Sequence, residues 1–566
     1  MGSPVPRRST ALAILLAVAI VPYFLDLGGS AIWDANEAFY VETPREMMEQ
    51  RDYVTPTFNY EPRLNKPVLS YWIVAGFYQV FGVSVAVQRV PIALAALILI
   101  LTAACLARAA GTTGGTGLRP PPGERTGLAM EAALWAGLGL AVTPRLLMFA
   151  RRIFIDVYIS MFFGLTLLFF ALAERVPERR RTFLILMYVA AGLGTLTKGP
   201  VAIVLPALAF GVYLLVHGEL RRLRSMMLPA GALIVLGIVA PWYVALYQRH
   251  GWAPLTEFIF GENVARYAAG VGVDSDRGPF FYLPVLISDS FPWSMFLGAA
   301  ALNWWHTRRA GGAGEPAQRI RALLGIWVAV FVGFFSASAA KQDLYIFPIA
   351  PAVAALAGVT IASGLTGVLR WTSVAIGGII ALAGVGVLHL FGPGASVYAL
   401  RGALPMGAVA VAGGLFVAAA AATNRVRESL FAIVITFIVL NWVFVLRALP
   451  DFERFKPVPG FARTLAGRLE PDDALITYDE ALPSLVFYLQ RHIDPYFLPD
   501  EVFERFRENR GVYAIMSAEN YAELAPGIKV RTCIIDRRPT FDVKLKNMLN
   551  RDSLPELLIV TNRCPP

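Results

Sequence analysis

Thirteen runs of apolar residues, each close to the length of a membrane-spanning helix, constrain this chain more than any other feature. A helix that crosses a bilayer needs roughly 20 apolar residues. With 56% hydrophobic residues and a mean hydropathy of +0.57, the chain is more apolar than a soluble protein of 566 residues. The sequence therefore predicts a polytopic membrane protein with spans at about residues 11–28, 85–108, 127–148, 157–173, 182–197, 200–216, 226–247, 281–305, 322–339, 344–363, 371–391, 404–422 and 429–447.

The positive charge of the chain follows the predicted topology. Arginines cluster in alternate loops between the apolar runs, as the positive-inside rule requires of cytoplasmic loops. The formal charge of +10 thus needs no nucleic-acid partner. Arg7 and Arg8 precede the first run, which we expect to be retained because no small-residue cleavage site follows it. The N-terminus is predicted in the cytoplasm, and an odd number of spans places the C-terminus outside.

A strongly charged stretch at residues 31–67 directly follows the first run and falls on the outer side. Such a segment cannot lie in hydrocarbon. Asp34 and Glu37 are three residues apart, so both carboxylates would lie on one side of a helical turn. The alternative is a solvated loop whose charges only keep it hydrated. The apolar run at 66–82 is short for a span and is predicted to be an interfacial helix.

Further polar clusters fall on the same outer face. They comprise Asp156 in RRIFIDVY, Lys198 in TKGP, Glu262, Asn263 and Arg266 in GENVARY, and Lys341, Asp343 and Tyr345 in AAKQDLY. Basic residues on this face run against the positive-inside trend, so an anionic ligand is the expected partner of Lys66, Arg266 and Lys341. The alternative for each base is that its side chain snorkels to the lipid headgroups.

From about residue 450 the composition is that of a soluble domain. Strand-like runs at 474–479, 512–516, 530–536 and 556–561 alternate with helix-like stretches, which predicts a small α/β domain with a partly parallel sheet. Cys533 and Cys564 lie in or just after two of these runs on the oxidising side, so we predict a disulfide between them. The predicted organisation is a membrane domain at 1–449, with outer loops at 29–84 and 248–280, followed by an extracytoplasmic domain at 450–566.

Taken in order, the motifs resemble a known family. The series WDxxE, NKP, R....D, TKGP, PWY, ENVARY and K..LY over about residues 10–450 resembles the GT-C superfamily of membrane glycosyltransferases. The nearest branch holds the bacterial lipid A aminoarabinose transferases and the relatives of protein O-mannosyltransferases. The resemblance implies an all-α polytopic membrane domain in the bacterial inner membrane. It also implies inverting transfer of a sugar from a polyprenyl-phosphate donor to a membrane-lipid or protein acceptor on the outer face.

The resemblance also assigns roles to individual positions. It implies catalytic carboxylates at Asp34 and Asp156, and we add the neighbouring Glu37. Lys66, Arg266, Lys341 and Tyr345 would surround the donor phosphate, and Tyr40, Asn65, Glu262 and Asn263 would line the rest of the cavity. Bases around a departing phosphate stabilise the charge that develops on it, and a carboxylate can orient or deprotonate the acceptor.

The chain departs from the aminoarabinose branch at two positions that can hold a divalent metal there. Asn65 and Asn263 stand where that branch has glutamate and histidine, and an asparagine pair suits zinc poorly. The sequence therefore predicts no definite cofactor and leaves a divalent metal as an open but disfavoured alternative. Two other classes of function stay open: a secondary transporter, although no inverted repeat is evident, and a binding protein that has lost catalysis.

Overall fold

The computed structural model describes residues 5–34, 36–111, 122–152, 154–270, 277–309, 315–364, 366–394, 397–508, 510–541 and 553–564. The chain is mainly helical. Its helices are α1 (Val5–Phe24), α2 (Asn36–Gln50), α3 (Leu69–Phe81), α4 (Val85–Ala110), α5 (Pro122–Val142), α6 (Pro144–Ala150), α7 (Ile155–Arg175), α8 (Arg180–Lys198), α9 (Val201–Val216), α10 (Leu228–His250), α11 (Ala253–Thr256), α12 (Arg266–Ala269), α13 (Tyr282–Asp289), α14 (Leu297–Arg309), α15 (Pro316–Ala337), α16 (Ala350–Ala362), α17 (Thr366–Phe391), α18 (Ala403–Ala422), α19 (Val426–Val443), α20 (Leu449–Phe452), α21 (Val458–Ala466), α22 (Ser484–Leu489), α23 (Pro499–Arg507) and α24 (Ala518–Leu524).

Every predicted span coincides with a helix or with a bent helix pair. By length and composition, however, eight of the described helices can cross a membrane, or ten if each bent pair is one span. The predicted thirteen is therefore higher than this criterion supports. One reason is helix length, because α9 has only 16 residues, and another is charge, because α8 begins with Arg180 and Arg181.

Two helix pairs bend sharply beside the outer polar residues. The α5–α6 pair bends by 61° and the pair that joins α13 to α14 bends by 109°. The first break falls at Pro144, whose ring cannot continue the hydrogen-bond ladder of α5. Arg145 follows that break and Asp289 ends α13, and the two side chains form an ion pair with Nε 3.7 Å from Oδ1. The bends thus bring polar side chains together between apolar segments.

The predicted outer loop at 29–84 has its own secondary structure. It contains α2, a short antiparallel hairpin of β1 (Thr57–Phe58) and β2 (Glu61–Pro62), and α3. Trp72 of α3 donates a hydrogen bond to the carbonyl oxygen of Tyr53 (2.8 Å), which ties that helix to the chain before the hairpin. A separate helix was predicted here, and α3 confirms it, whereas its position at the membrane interface stays a prediction.

The C-terminal part forms the predicted α/β sheet. Its strands are β3 (Ala474–Tyr478), β4 (Asp494–Tyr496), β5 (Val512–Ser517), β6 (Cys533–Pro539) and β7 (Glu556–Thr561), in the order β4-β3-β5-β7-β6. The first three strands in this order are parallel, and β7 pairs antiparallel with both β5 and β6. The sheet is therefore partly parallel, as predicted. The predicted disulfide is also present, with the Cα atoms of Cys533 and Cys564 5.6 Å apart.

Candidate active site

A cavity of about 860 Å³ lies where the predicted outer loops meet the ends of the apolar helices. One part of its wall is apolar and includes Ile159, Phe163, Val201, Val204, Phe334 and Phe335. The other part is polar, and it includes eight of the eleven predicted site residues: Tyr40, Asn65, Lys66, Asp156, Glu262, Asn263, Arg266 and Tyr345. The structure thus brings together side chains that are up to about 300 positions apart in the chain.

Two bases in this cavity share one carboxylate. Lys66 Nζ lies 3.3 Å from Glu262 Oε2, and Arg266 Nη2 lies 3.1 Å from the same oxygen. Lys66 directly precedes Pro67 ahead of α3, whereas Glu262 and Arg266 are one helical turn apart at the junction of a π-helical segment (Glu257–Ala265) and α12. Burial lowers the pKa of Lys66; Glu262 opposes this shift, and the positive charges of Lys198 and Arg266 add to it. Two cations against one anion leave a positive excess that suits an anionic ligand.

A second ion pair in the cavity joins α7 to α8. Asp156 stands in the first turn of α7, and its Oδ1 pairs with Nζ of Lys198, the last residue of α8. Gly199 ends α8 with a φ of +101°, a conformation that other residues rarely adopt, so the Lys-Gly-Pro sequence itself fixes where the lysine emerges. Lys198 Nζ also lies 5.6 Å from the ring centroid of Tyr345. Lys198 belongs to the TKGP motif but was not among the residues predicted to bind the phosphate.

An arginine outside the predicted set lies on an aromatic part of the wall. The guanidinium carbon of Arg63 is 4.0 Å from the ring centroid of Phe39, and Arg63 Nη1 donates to the hydroxyl of Tyr71 (3.1 Å). The rings of Tyr40 and Tyr71 stack 5.4 Å apart. Sequence reasoning missed Arg63 because it treated the arginine only as one more charge in the 31–67 stretch. Its position three residues before Lys66, in the same outer loop, was the available signal.

Asp34 was predicted to be catalytic, but the structure places it against the C-terminal part of the chain. Its Oδ1 accepts a hydrogen bond from the backbone N–H of Ser484 at the start of α22 (2.8 Å), and it is not among the residues that line the cavity. Although part of the side chain reaches solvent, the surrounding protein limits its hydration and raises the pKa of Asp34 to about 6. Hydrogen bonding from Ser484 and the charge of Lys456 act in the opposite direction.

Glu37 does not lie in the cavity, contrary to its predicted catalytic position. Its carboxylate is fully buried and pairs with Arg89 of α4, with Oε1 2.7 Å from Nε and Oε2 2.9 Å from Nη2. It also accepts a hydrogen bond from the N–H of Trp33 (2.9 Å). Arg89 in turn donates to the carbonyl oxygens of Leu27 and Ser30 (both 2.8 Å). The pair therefore anchors the loop that carries Asp34.

Lys341 is likewise not placed in the cavity. Its side chain is 7% exposed, and Nζ donates to the carbonyl oxygen of Ser338 three residues earlier (2.6 Å). The neighbouring Gln342 and Asp343 line the cavity instead. The segment turns at this point into a 3₁₀ helix (Asp343–Ile349), which directs successive side chains to different sides. Lys198, and not Lys341, thus supplies the third base beside Lys66 and Arg266.

The chain is similar to known proteins in sequence and in fold. The family model described as dolichyl-phosphate-mannose-protein mannosyltransferase matches residues 125–244. An undecaprenyl phosphate-alpha-4-amino-4-deoxy-L-arabinose arabinosyl transferase from Pseudomonas aeruginosa (strain UCBPP-PA14) is 31% identical over 389 residues, which cover 68% of this chain and 64% of that protein. The chain is a relative of the GT-C aminoarabinose transferases. The predicted resemblance is confirmed.

Two further similarities extend the comparison. An uncharacterised protein from Aquifex aeolicus (strain VF5) is 31% identical over 343 residues, which cover 61% of this chain and 62% of that protein. The crystal structure of ArnT from Cupriavidus metallidurans bound to undecaprenyl phosphate superposes with a TM-score of 0.77 at 22% identity, and covers 98% of both chains. At that identity the structural likeness establishes the fold alone. The matched region spans about 64% of the length of the Pseudomonas relative.

The residues that replace the possible metal ligands of the aminoarabinose branch do not form a zinc site. Asn65 and Asn263 offer amides, and Asn263 Nδ2 already donates to the carbonyl oxygen of Phe258 (2.6 Å). The carboxylate between them in sequence, Glu262, is engaged by Lys66 and Arg266. Among the described residues, no three histidine, cysteine or acidic side chains cluster as metal ligands. This donor set does not fit zinc, which prefers histidine, cysteine and carboxylate.

Proposed function

We propose that this protein is an integral-membrane glycosyltransferase that transfers a sugar from a polyprenyl-phosphate carrier to an acceptor. One observation carries the proposal: the apolar wall of the cavity continues into the basic cluster of Lys66, Lys198 and Arg266. A carrier lipid has the same two parts, an apolar tail and an anionic head. The printed name of the Pseudomonas relative, which specifies an undecaprenyl-phosphate sugar, supports the same class of donor.

The polar residues suit a single displacement at the anomeric carbon. As the bond to the carrier breaks, negative charge develops on the departing phosphate, and Lys66, Lys198 and Arg266 are placed to stabilise it. Glu262 orders two of these bases before the carrier binds. Asp34, with a pKa of about 6, is mostly ionised at neutral pH and can orient or deprotonate the acceptor. Asp156 is held by Lys198 and in turn fixes the position of that ammonium group.

We place the site on the outer face of the bacterial inner membrane. The arginine-rich alternate loops support a cytoplasmic N-terminus, and the Cys533–Cys564 disulfide supports an oxidising compartment for the C-terminal part. On this topology residues 1–449 are the catalytic membrane domain and residues 450–566 an extracytoplasmic domain. The acceptor would then be a lipid A-like glycolipid, another envelope glycan or a protein.

A second candidate is a protein O-mannosyltransferase-like enzyme. The description of the family model that matches residues 125–244 favours it, since that model is named for transfer from dolichyl-phosphate-mannose to protein. Both candidates share the carrier chemistry of Lys66, Lys198 and Arg266 and differ in sugar and acceptor. A secondary transporter has less support, because no inverted internal repeat is evident in the sequence.

The test is transfer by the purified protein from a radiolabelled polyprenyl-phosphate sugar. Lipid A, other envelope glycolipids and an unfolded protein would be offered as separate acceptors, and Lys66→Met would serve as the inactive control. Label that moves to any acceptor with wild-type protein, and not with Lys66→Met, supports the proposal. A protein that binds no polyprenyl phosphate and releases no carrier would refute it.

A further inference from the structure

Arg63 lies on the aromatic part of the cavity wall and is not one of the three bases that we assign to the carrier phosphate. Arg63 is half-buried, with its face against Phe39 and a single hydrogen bond to Tyr71. No carboxylate among the described residues pairs with it. A guanidinium fixed in this way keeps donors available for a planar, bidentate acceptor group such as a carboxylate.

All acidic groups of the cavity, by contrast, are already paired. Asp156 is engaged by Lys198, Glu262 by Lys66 and Arg266, and Asp343 by Arg145. Among the described residues, five basic and three acidic side chains line the cavity, an excess of two positive charges: Arg63, Lys66, Lys198, Arg266 and Arg277 against Asp156, Glu262 and Asp343. The phosphodiester of a sugar carrier brings one negative charge. Among the described residues that line the cavity, a bound donor therefore leaves one positive charge without a counter-charge.

The same wall carries acceptor atoms that suit a sugar ring. Asn65 Oδ1 is buried without a hydrogen-bond partner among the described residues, so it needs a donor such as a sugar hydroxyl. Tyr40 is 6% exposed and lines the cavity, with its ring stacked on Tyr71. Aromatic faces pack well against the C–H groups of a sugar ring. Arg63, Asn65 and Tyr40 thus form a second subsite next to the phosphate-binding bases.

We propose that the donor sugar is acidic, of the uronic-acid type, and that Arg63 binds its carboxylate. The inference rests on the proposed function, since it assigns the sugar of the same polyprenyl-phosphate donor. An amino sugar, such as the one in the names of the relatives, would bring an ammonium group into a cavity whose carboxylates are occupied and whose free charge is positive. Arg63 would then repel the sugar that its relatives are named for. A uronate cancels the remaining positive charge.

The test is binding of intact donors, which needs no acceptor. Three polyprenyl phosphates, carrying a uronic acid, the matching neutral sugar and a 4-amino pentose, compete with labelled sugar-free polyprenyl phosphate for the purified wild-type protein. Charge-assisted contacts of this kind predict that the uronosyl donor binds about tenfold to a hundredfold more tightly than the neutral one. The amino donor is expected to bind most weakly.

Variants then test the residue assigned to the sugar. Arg63→Met keeps side-chain length and removes the charge, and it should make the uronosyl and neutral donors nearly equivalent. Arg63→Lys keeps the charge without the planar fork and should retain part of the preference. Lys66→Met should weaken all donors to a similar extent, because it acts on the shared phosphate. Affinity for the sugar-free carrier is the folding control for the two Arg63 variants, and the unfolding temperature is the folding control for Lys66→Met.

The outcomes distinguish failure of the acidic-sugar proposal from failure of the glycosyltransferase proposal. Tightest binding of the amino or the neutral donor by wild-type protein would overturn the acidic-sugar proposal and leave the glycosyltransferase proposal intact. A uronosyl preference that survives in Arg63→Met would remove Arg63 as its cause. Failure of wild-type protein to bind labelled polyprenyl phosphate would refute the proposed function itself. The ranking by wild-type protein tests the sugar class even if a variant does not fold.

Discussion

Replacement of Glu37 by glutamine should reduce stability rather than act on catalysis alone. The carboxylate is fully buried and makes two contacts with Arg89, at 2.7 and 2.9 Å. Glu37→Gln is nearly isosteric, but it removes the counter-charge while Arg89 stays buried among the carbonyl oxygens of Leu27, Ser30 and Ala31. Loss of one partner of a buried ion pair typically costs about 3–5 kcal/mol. That is a large share of the roughly 5–15 kcal/mol that holds a domain folded.

The assay is thermal unfolding of the purified protein in detergent, with the monodisperse fraction followed by size exclusion. Glu49→Gln is the matched control, because Glu49 lies on the same helix α2 and pairs with Arg45 while its side chain is 51% exposed. Arg45 is buried but keeps Glu42 as a second partner when Glu49 is replaced, so that variant should unfold near the wild-type temperature. Glu37→Gln should unfold at a clearly lower temperature. A Glu37→Gln protein with wild-type stability and no transfer activity would refute this reasoning and restore Glu37 as a catalytic group.

Three further predictions concern the site and the C-terminal sheet. Asp34→Asn should abolish transfer without lowering the unfolding temperature. In the wild-type protein, kcat/KM should fall as the pH drops through about 6, because protonation removes the negative charge of Asp34. A rate that is independent of pH between 5 and 7 would contradict this. Lys198→Met should lower the rate of transfer about tenfold to a hundredfold, whereas Lys341→Met should mainly lower the unfolding temperature. Equal losses of rate in the two variants would contradict the assignment of Lys198, and not Lys341, to the cavity. Cys533→Ser should match Cys564→Ser in stability, because either change breaks the same bond, and different melting temperatures would contradict this.

The helices and strands were predictable because their signals are local. Each apolar run became a helix or a bent pair, and each of the four strand-like runs became a strand of the C-terminal sheet. The bends were not predicted, since the run at 281–305 gives no indication of the 109° change of direction between α13 and α14. The number of spans also exceeded what helix length supports. A hydropathy pattern reports that a segment is apolar, but not whether it is long or straight enough to cross a membrane.

The site residues were predictable where a motif fixes the position of the backbone. They were not predictable where the direction of the side chain determines whether a residue lines the cavity. Glu262 and Arg266 are one turn apart in sequence and do converge on one wall. Lys341 and Asp343 are even closer in sequence, yet only Asp343 lines the cavity. Glu37 was expected beside Asp34 because of their spacing. Its partner Arg89 lies 52 positions later, and no local pattern could have indicated that buried pair.

The loop that carries Asp34 is held by hydrogen bonds from the membrane helices on one side and from the C-terminal part of the chain on the other. The C-terminal part therefore helps to position Asp34. Arg89 donates to the carbonyl oxygen of Ala31 (3.0 Å) from the side of the membrane helices. From the other side, Lys456 donates to the same carbonyl (2.9 Å) and Ser484 donates to Asp34 itself (2.8 Å). In the role that we propose for it, Asp34 must keep its geometry while the donor departs, and a loop tethered only at α1 and α2 would not provide that. The position of Asp34 therefore depends on residues more than 400 positions away, so loss of the C-terminal part should impair turnover before it impairs binding of the carrier.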